Sequence, residues 1–152
     1  MKALVQRVTE GSVTVDGRTI GSIGKGLVIL FGAGRGDTEK DVDYLAGKCA
    51  NLRIFEDADG KMNLSLLDIG GEALVISQFT LYGDCRKGRR PGFSEAADPA
   101  EAEAFYEQFL VKLAQAGVKT VQHGQFGADM KVKIFNDGPV TFMLESRGGI
   151  GV

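Results

Sequence analysis

The sequence is poor in the residues from which many catalytic and metal sites are built. Its 152 residues include one histidine, His123, two cysteines and no tryptophan. A histidine-rich metal site is therefore excluded, and two cysteines cannot complete a four-thiolate zinc site. Cys49, Cys85 and His123 would supply three ligands, but their spacing resembles no known zinc signature. We therefore predict that the protein uses no metal and no cofactor.

Long apolar runs and a strong charge of one sign are absent as well. No segment approaches the roughly 18 apolar residues of a membrane span, and charge interrupts the first seven residues too early for a signal peptide. Two cysteines do not suggest a disulfide framework, so the reducing cytoplasm is the expected location, with no membrane partner. The formal net charge of −2 argues against broad affinity for nucleic acid, although it leaves room for a local basic patch.

Glycine, by contrast, is abundant, with 22 copies scattered as punctuation between short apolar segments. No repeat, low-complexity tract or polar linker divides the chain, which predicts a single domain over residues 1–152. Alternating or continuous apolar patterns predict strands at 3–9, 26–32, 53–55, 73–80, 119–123, 130–135 and 140–144, and a hairpin over 12–20. Turns are expected at Asp16-Gly17 and at Asn136-Asp137-Gly138.

Two helices are also expected. The first is capped by Asp37 or Thr38 and buries Cys49 on its apolar stripe. The second begins at the cap Asp98, with Glu101 at the spacing of a capping box, and it ends at Gly117. With seven or eight strands, these helices predict a mixed α/β fold in which layered, barrel-like mixed β-sheets pack against two main helices.

Three segments carry polar groups that suggest a site. Ser77-Gln78-Phe79-Thr80 is a point where a buried strand turns abruptly polar, as binding segments do, although Ser77 and Thr80 could simply satisfy backbone groups there, with Phe79 in the core. Gly138-Pro139 is either an ordinary turn or a cis peptide. The loop 82–93 is either a solvated loop or a phosphate-binding one, and its basic residues are Arg86, Lys87, Arg89 and Arg90.

These segments together resemble the D-aminoacyl-tRNA deacylase family of the bacterial and eukaryotic type. The resemblance covers nearly the whole chain, and its pieces fall in the family's order at 5–8, 12–17, 23–27, 52–55, 60–63, 77–82 and 136–141. The last two, Ser-Gln-Phe-Thr-Leu-Tyr and Asn-Asp-Gly-Pro-Val-Thr, are the family's signatures. Gly92 departs from the family, in which many members have serine.

The resemblance implies a deacylase-like fold, a homodimer and a tRNA substrate. Members hydrolyse the ester between a D-amino acid and the 3′-terminal adenosine of tRNA, and they accept mischarged glycine. It further implies a cis Gly138-Pro139 peptide that reaches from one subunit into the active site of the other, with Arg7 holding it in position. Phe126 and Met130 match positions that line the pocket, although core packing is an equally good interpretation of both.

For the reaction, the resemblance points to the segment from Ser77 to Thr80. Backbone N–H groups near Phe79 and Thr80 would stabilise the oxyanion, and a water positioned by the 2′-hydroxyl of the tRNA would attack. A nucleophilic Thr80 is the rival mechanism and needs an activating base. Two other classes stay open, namely a non-catalytic RNA-binding module and a small-molecule esterase that uses Thr80 with His123.

Overall fold

The computed structural model describes all residues, 1–152, and has the predicted mixed α/β architecture with two helices. In chain order the elements are β1 (Lys2–Val15), β2 (Arg18–Ile23), β3 (Gly26–Gly32), α1 (Glu39–Asn51), β4 (Phe55–Glu56), β5 (Met62–Leu64), β6 (Glu72–Ser77), a 3-10 helix (Phe79–Tyr82), α2 (Pro99–Gln115), β7 (Val121–His123), β8 (Lys131–Arg147) and β9 (Ile150–Gly151). Neither helix is long and apolar enough to cross a membrane.

A mixed sheet forms the centre of the molecule. Its strands run in the order β7-β6-β3-β1-β8-β9, and β2 pairs with the far part of β1. The pairs β3–β6 and β6–β7 are parallel, whereas β1 is antiparallel to each of its partners. The short strands β4 and β5 form a separate hairpin. The carboxyl ends of β3 and β6 therefore meet at one edge of the sheet.

Both faces of this sheet are covered. One face packs against α1 and α2 through a cluster of 25 buried residues that includes Val5, Ile29 and Phe109. The other face carries a smaller cluster of six, including Val8 and Val28, which β2 and the first half of β8 close over. Alternation along the strands sends neighbouring side chains to opposite faces, so one sheet supplies two cores and gives the predicted layers.

Local signals placed several boundaries correctly. Asp16 and Gly17 have φ angles of 49° and 77°, as the tight β1–β2 hairpin requires. Thr38 is the N-cap of α1, and Gly117, with φ of 114°, follows the end of α2. Asp98 is the N-cap of α2, as predicted, but its side chain makes no cap hydrogen bond, so the predicted capping box is wrong.

Three predicted strands are shorter than expected. The segment at 53–55 pairs only from Phe55, and the one at 119–123 only from Val121. The strand predicted over 73–80 ends at Ser77, because the chain enters a 3-10 helix at Phe79 after the Gln78 N–H donates to the Phe31 carbonyl at 2.7 Å.

The turn predicted at Asn136-Asp137-Gly138 is also wrong, because β8 continues through these residues as a bulged strand. Gln6 pairs with Thr141 and Val8 pairs with Asn136. Between these pairs, Arg7 alone on β1 faces the four residues 137–140 on β8. A bulge accommodates proline, which has no N–H to donate to the ladder.

Asp41, in the first turn of α1, is fully buried and ties the helix to the end of β8. Its carboxylate accepts hydrogen bonds from the Ser146 hydroxyl at 2.6 Å and from the backbone N–H groups of Gly149 and Thr38, each at 2.9 Å. Burial alone would raise the pKa of Asp41, but these hydrogen bonds outweigh it and hold the pKa below its ordinary value.

Replacing Asp41 with Asn should therefore lower the free energy of unfolding at pH 7 by about 2–3 kcal/mol, because the amide offers a donor to groups that already donate. The folded-state pKa is depressed, so this stabilisation is full above the ordinary pKa of about 4 and is lost as the pH falls through the folded value. Urea unfolding at pH 7 and at pH 3 would measure the loss of stability and its dependence on pH. Asp43→Asn, at an exposed position of the same helix, is the control. If Asp41→Asn lowers the free energy of unfolding equally at both pH values, the ionised carboxylate is not the source of the stabilisation.

Candidate functional site

A cleft opens where β3 and β6 end side by side. It has a volume of about 430 Å³ and a mostly apolar lining. The lining residues are Phe31, Gly32, Ala33, Arg35, Ser77, Gln78, Phe79, Phe93, Ala96, Ala97, Asp98, Pro99, Ala102, Phe126 and Gly127. Arg35 and Asp98 are the only ionisable side chains among them, so the cleft can bind an apolar or aromatic group but carries no histidine, cysteine or carboxylate pair.

The chain after β6 is held against β3 by close backbone contacts. One contact is the backbone hydrogen bond from Gln78 to Phe31. Another is the close approach of the Gln78 carbonyl oxygen to Gly32, which a side chain would block, because a Cβ there would lie 2.9 Å from that oxygen. The 3-10 helix then begins, with the Gly83 N–H donating to the Thr80 carbonyl at 2.9 Å. The N–H groups of Phe79 and Thr80 open this turn and have no partner within it. Of these two residues, Phe79 lines the cleft and Thr80 follows it in the turn.

The side chains of the predicted catalytic segment take different positions. Ser77 and Gln78 are half-buried and line the cleft, while Phe79 lines it with 56% of its surface exposed. Thr80 is exposed and is not a lining residue, and its hydroxyl is hydrogen-bonded to the Gln78 side-chain amide. Thr80 thus faces an amide rather than a base.

Of the two predicted pocket residues, the structure brings only Phe126 to the cleft. The Phe126 ring lies 6.0 Å from the ring of Tyr106, whose hydroxyl donates to the Val75 carbonyl at 2.8 Å. Burial raises the pKa of Tyr106 to about 12, which keeps it a donor. Met130 instead packs under Gly124 against the smaller core cluster, as its alternative interpretation expected.

The second predicted segment lies at the β8 bulge. The Gly138-Pro139 peptide is cis, and both residues are exposed. Gly138 has a φ of 141°, and a Cβ there would meet the Val140 side chain at 2.7 Å, so only glycine fits. The Asn136 side chain closes the bulge by accepting the Val140 N–H at 2.7 Å and donating to the Thr141 hydroxyl at 2.9 Å.

Arg7 supports this bulge from the opposite strand. Its side chain is buried, and Nε donates to the Asp137 carbonyl at 2.9 Å. A second nitrogen donates to the Ile54 carbonyl at 2.8 Å. A fixed guanidinium with two carbonyl acceptors thereby joins the backbone beside Gly138 to the segment that follows α1.

The cleft and the bulge are separate within one chain. None of the residues 136–141 lines the cleft, and Arg7 does not reach it. The two predicted parts of the site are thus built independently, one at the carboxyl ends of parallel strands and the other in the middle of an antiparallel ladder.

The four basic residues of the loop after the 3-10 helix are all exposed. Arg86 pairs with the carboxylate of Asp84 through two side-chain hydrogen bonds of 2.8 and 2.7 Å. This pairing lowers the pKa of Asp84 to about 2. The remaining three, Lys87, Arg89 and Arg90, have no carboxylate within 4.0 Å and line a shallow depression of their own.

His123 lies outside the cleft, in a separate depression with Glu103 and Glu107. Its Nδ1 contacts the Gly124 carbonyl oxygen at 2.7 Å, and it makes no hydrogen bond to Ser77 or Thr80. Cys49 is buried in the main core, where burial raises the pKa of its thiol to about 12, whereas Cys85 is exposed. A dyad of Thr80 with His123 is therefore not assembled.

Sequence reasoning predicted only Ser77, Gln78, Phe79 and Phe126 among the lining residues, and Arg35 and Phe93 are the largest polar and apolar side chains that it missed outside the strands and helices. Arg35 follows a glycine-rich turn and carries no signal beyond its charge. Phe93 does carry one, because a lone aromatic side chain in a basic loop with proline and glycine has no local packing partner that would explain it.

The fold places the chain among the deacylase-like mixed α/β proteins. The family model described as D-Tyr-tRNA(Tyr) deacylase matches residues 4–145, so the chain belongs to that family, whose members are hydrolases acting on the aminoacyl-tRNA ester bond.

Relatives cover almost the whole chain. It is 60% identical to the D-aminoacyl-tRNA deacylase of Heliobacterium modesticaldum over 98% of this chain and 99% of the relative. It is 61% identical to that of Clostridioides difficile over 96% and 97%. A solved structure of the c-Myc DNA unwinding element binding protein superimposes with a TM-score of 0.92 at 45% identity, covering 97% of this chain and 100% of that one.

Replacing Arg7 with Lys should loosen the bulge, because one ammonium group cannot reach both carbonyls in the geometry of the guanidinium. We expect amide hydrogen exchange over residues 136–141 to become at least tenfold faster, as measured by mass spectrometry at pH 7. Arg18→Lys, on the exposed β1–β2 hairpin, is the matched control. Unchanged hydrogen exchange in the Arg7 variant would show that the Arg7 hydrogen bonds do not stabilise the bulge.

Proposed function

We propose that the protein hydrolyses the ester of D-aminoacyl-tRNA, and of glycine mischarged on tRNA, to release free tRNA and the amino acid. The observation that carries this proposal is the 60% identity to a D-aminoacyl-tRNA deacylase over 98% of the chain, with both signature segments intact. We place the reaction in the cytoplasm, where tRNAs are charged, and take residues 1–152 as its single catalytic domain.

The active site is proposed to form between two copies of the chain. The cleft holds the ester, and Gly138-Pro139 of the partner copy reaches its mouth. The exposure of this peptide and its separation from the cleft of its own chain support the arrangement, because an exposed peptide is free to contact a second copy. Exposed apolar side chains along β8, including Phe142 and Met143, offer a surface for the second copy.

Selectivity would follow from exclusion. If the carbonyl groups of Gly138-Pro139 capture the ammonium group of the substrate and crowd its Cα, an L side chain clashes with them, whereas a hydrogen atom does not. Glycine has only hydrogens at Cα, so this wall cannot reject it. Arg7 is the positioning residue for the wall, and the side chain of a D-amino acid points away from it.

Catalysis would rest on backbone donors and on the substrate itself. The N–H groups of Phe79 and Thr80 stabilise the tetrahedral oxyanion, a contribution of typically about 3–4 kcal/mol per donor. The tRNA 2′-hydroxyl positions the attacking water, and an ester beside an ammonium group is already labile. The rival, a nucleophilic Thr80, lacks support because its hydroxyl faces the Gln78 amide and no base.

The test is release of radiolabelled amino acid from D-Tyr-tRNA, L-Tyr-tRNA and mischarged Gly-tRNA at equal enzyme concentration. We expect hydrolysis of the D-ester and the glycyl ester, with the L-ester at least a hundredfold slower. Binding without release from any substrate would favour a non-catalytic RNA-binding module. Release of both enantiomers, abolished by His123→Ala, would favour the esterase.

The same assay separates the two mechanisms. Thr80→Val removes the hydroxyl and keeps the backbone N–H, so substrate assistance predicts a kcat within about threefold of the wild type. A tRNA ending in 2′-deoxyadenosine should instead lose at least a hundredfold in kcat. The reverse pattern would establish Thr80 as the nucleophile.

The loop with Arg86, Lys87, Arg89 and Arg90 is proposed to contact phosphates near the acceptor end of the tRNA. Arg89 and Arg90 have no carboxylate partner, so their charge is available to RNA. Replacing both with Gln should weaken tRNA binding and reduce the slope of log K against log salt by about one for each phosphate that is no longer neutralised. Arg18→Gln with Lys119→Gln controls for net charge, and an unchanged slope in the loop variant would refute the proposed phosphate binding.

A further inference from the structure

Two aromatic rings are exposed together at the mouth of the cleft. Phe79 and Phe93 line it from different segments and have 56% and 38% of their surface exposed. Their ring centroids are 5.0 Å apart, with planes tilted by 60°. Each ring therefore keeps a substantial part of its surface available to a flat ligand.

The pair is fixed rather than loose. Asp84 and Gly92 exchange two backbone hydrogen bonds of 2.7 and 2.9 Å, which clamp the base of the basic loop directly before Phe93. Beneath the ring, Gly83 leaves room for it, since a Cβ there would lie 3.3 Å from the Phe93 ring. Phe79 is held by the 3-10 helix.

Positive charge adjoins these rings along the chain. Residues 84–95 hold four basic side chains against two carboxylates, in a protein whose net charge is −2. Asp84 neutralises Arg86 alone, which leaves Lys87, Arg89 and Arg90 unpaired. The loop that the Asp84–Gly92 pair closes therefore carries unpaired cations, and the Phe93 ring directly after it lines the cleft.

We propose that Phe93, with Phe79, forms a stacking platform for an unpaired nucleobase of the RNA strand, upstream of the nucleoside that carries the ester. This inference rests on the proposed function. When the 3′ terminus lies in the cleft, the rest of the strand leaves through its mouth, where the rings lie. Bases stack on aromatic side chains with little dependence on sequence, and phosphates bind neighbouring cations.

Charge complementarity favours RNA over a second copy of the chain as the occupant. A protein surface would have to desolvate three unpaired cations beside the rings or to supply matching carboxylates. A nucleotide supplies a flat base for the rings and a phosphate for the cations in one repeating unit.

The test compares Phe93→Leu, which keeps an apolar side chain without the π face, with Phe93→Trp, which keeps the face. For D-aminoacyl-tRNA, we expect the Leu variant to raise KM about five- to tenfold with kcat within twofold, and the Trp variant to match the wild type. The D-aminoacyl ester of adenosine alone has no upstream base, so with it the Leu variant should lose a clearly smaller factor in kcat/KM than with D-aminoacyl-tRNA. Equal losses with both substrates, or equal damage by Trp and Leu, would overturn the platform.

A binding readout keeps the inference independent of catalysis. A short RNA with 2-aminopurine at the penultimate position and a terminal 3′-D-aminoacylamino-3′-deoxyadenosine should lose fluorescence on binding the wild type but not the Leu variant. Quenching that survives Phe93→Leu would refute stacking, and a change of oligomeric state in sedimentation would reassign the rings to a subunit contact. If the wild-type protein hydrolyses neither ester, the proposed function is wrong. The fluorescence quenching would still show whether the base stacks on Phe93.

Discussion

The pairing of β1 with β8 around Arg7 is the constraint on which the rest of the site depends. One residue of β1 faces four of β8, so β8 bulges over residues 137–140, with Gly138 and Pro139 exposed and Val140 buried in the main core. A buried guanidinium must in turn be hydrogen-bonded, and the Ile54 and Asp137 carbonyls satisfy it. Because the same side chain anchors the chain after α1, the exposed Gly138-Pro139 peptide rests on the core rather than on a free loop.

The cleft has a different origin, in the parallel pairing of β3 with β6. Parallel strands end at the same edge of a sheet, and residues that follow them meet there. Phe31 and Gln78 are joined by a backbone hydrogen bond at this edge, and the 3-10 helix begins one residue later. The cleft floor is thus main chain on one side and the apolar surface of α2 on the other.

Local physics explains which features could be predicted from the sequence. The positive φ angles at Asp16-Gly17, the cap at Thr38 and the end of α2 at Gly117 depend on neighbouring residues alone, and the structure confirmed them. Asn-Asp-Gly-Pro has the same local preferences in a turn and in a bulge, so only the register against the distant strand β1 could decide between them.

The side chains at the site show the same limit. An apolar residue after a strand fits a core or a cleft equally well by its pattern. Met130 packs against the smaller core alone, whereas Phe126 packs against the main core and also lines the cleft. Phe93 and Phe79 come from segments that the basic loop separates, and their contact follows from the clamp between Asp84 and Gly92. The scarcity of histidine agrees with a cleft whose only ionisable side chains are Arg35 and Asp98, beside the Gln78 amide and the Ser77 hydroxyl. The shape of the main chain restricts two glycines in these segments, because a Cβ would meet the Gln78 carbonyl oxygen at Gly32 and the Val140 side chain at Gly138.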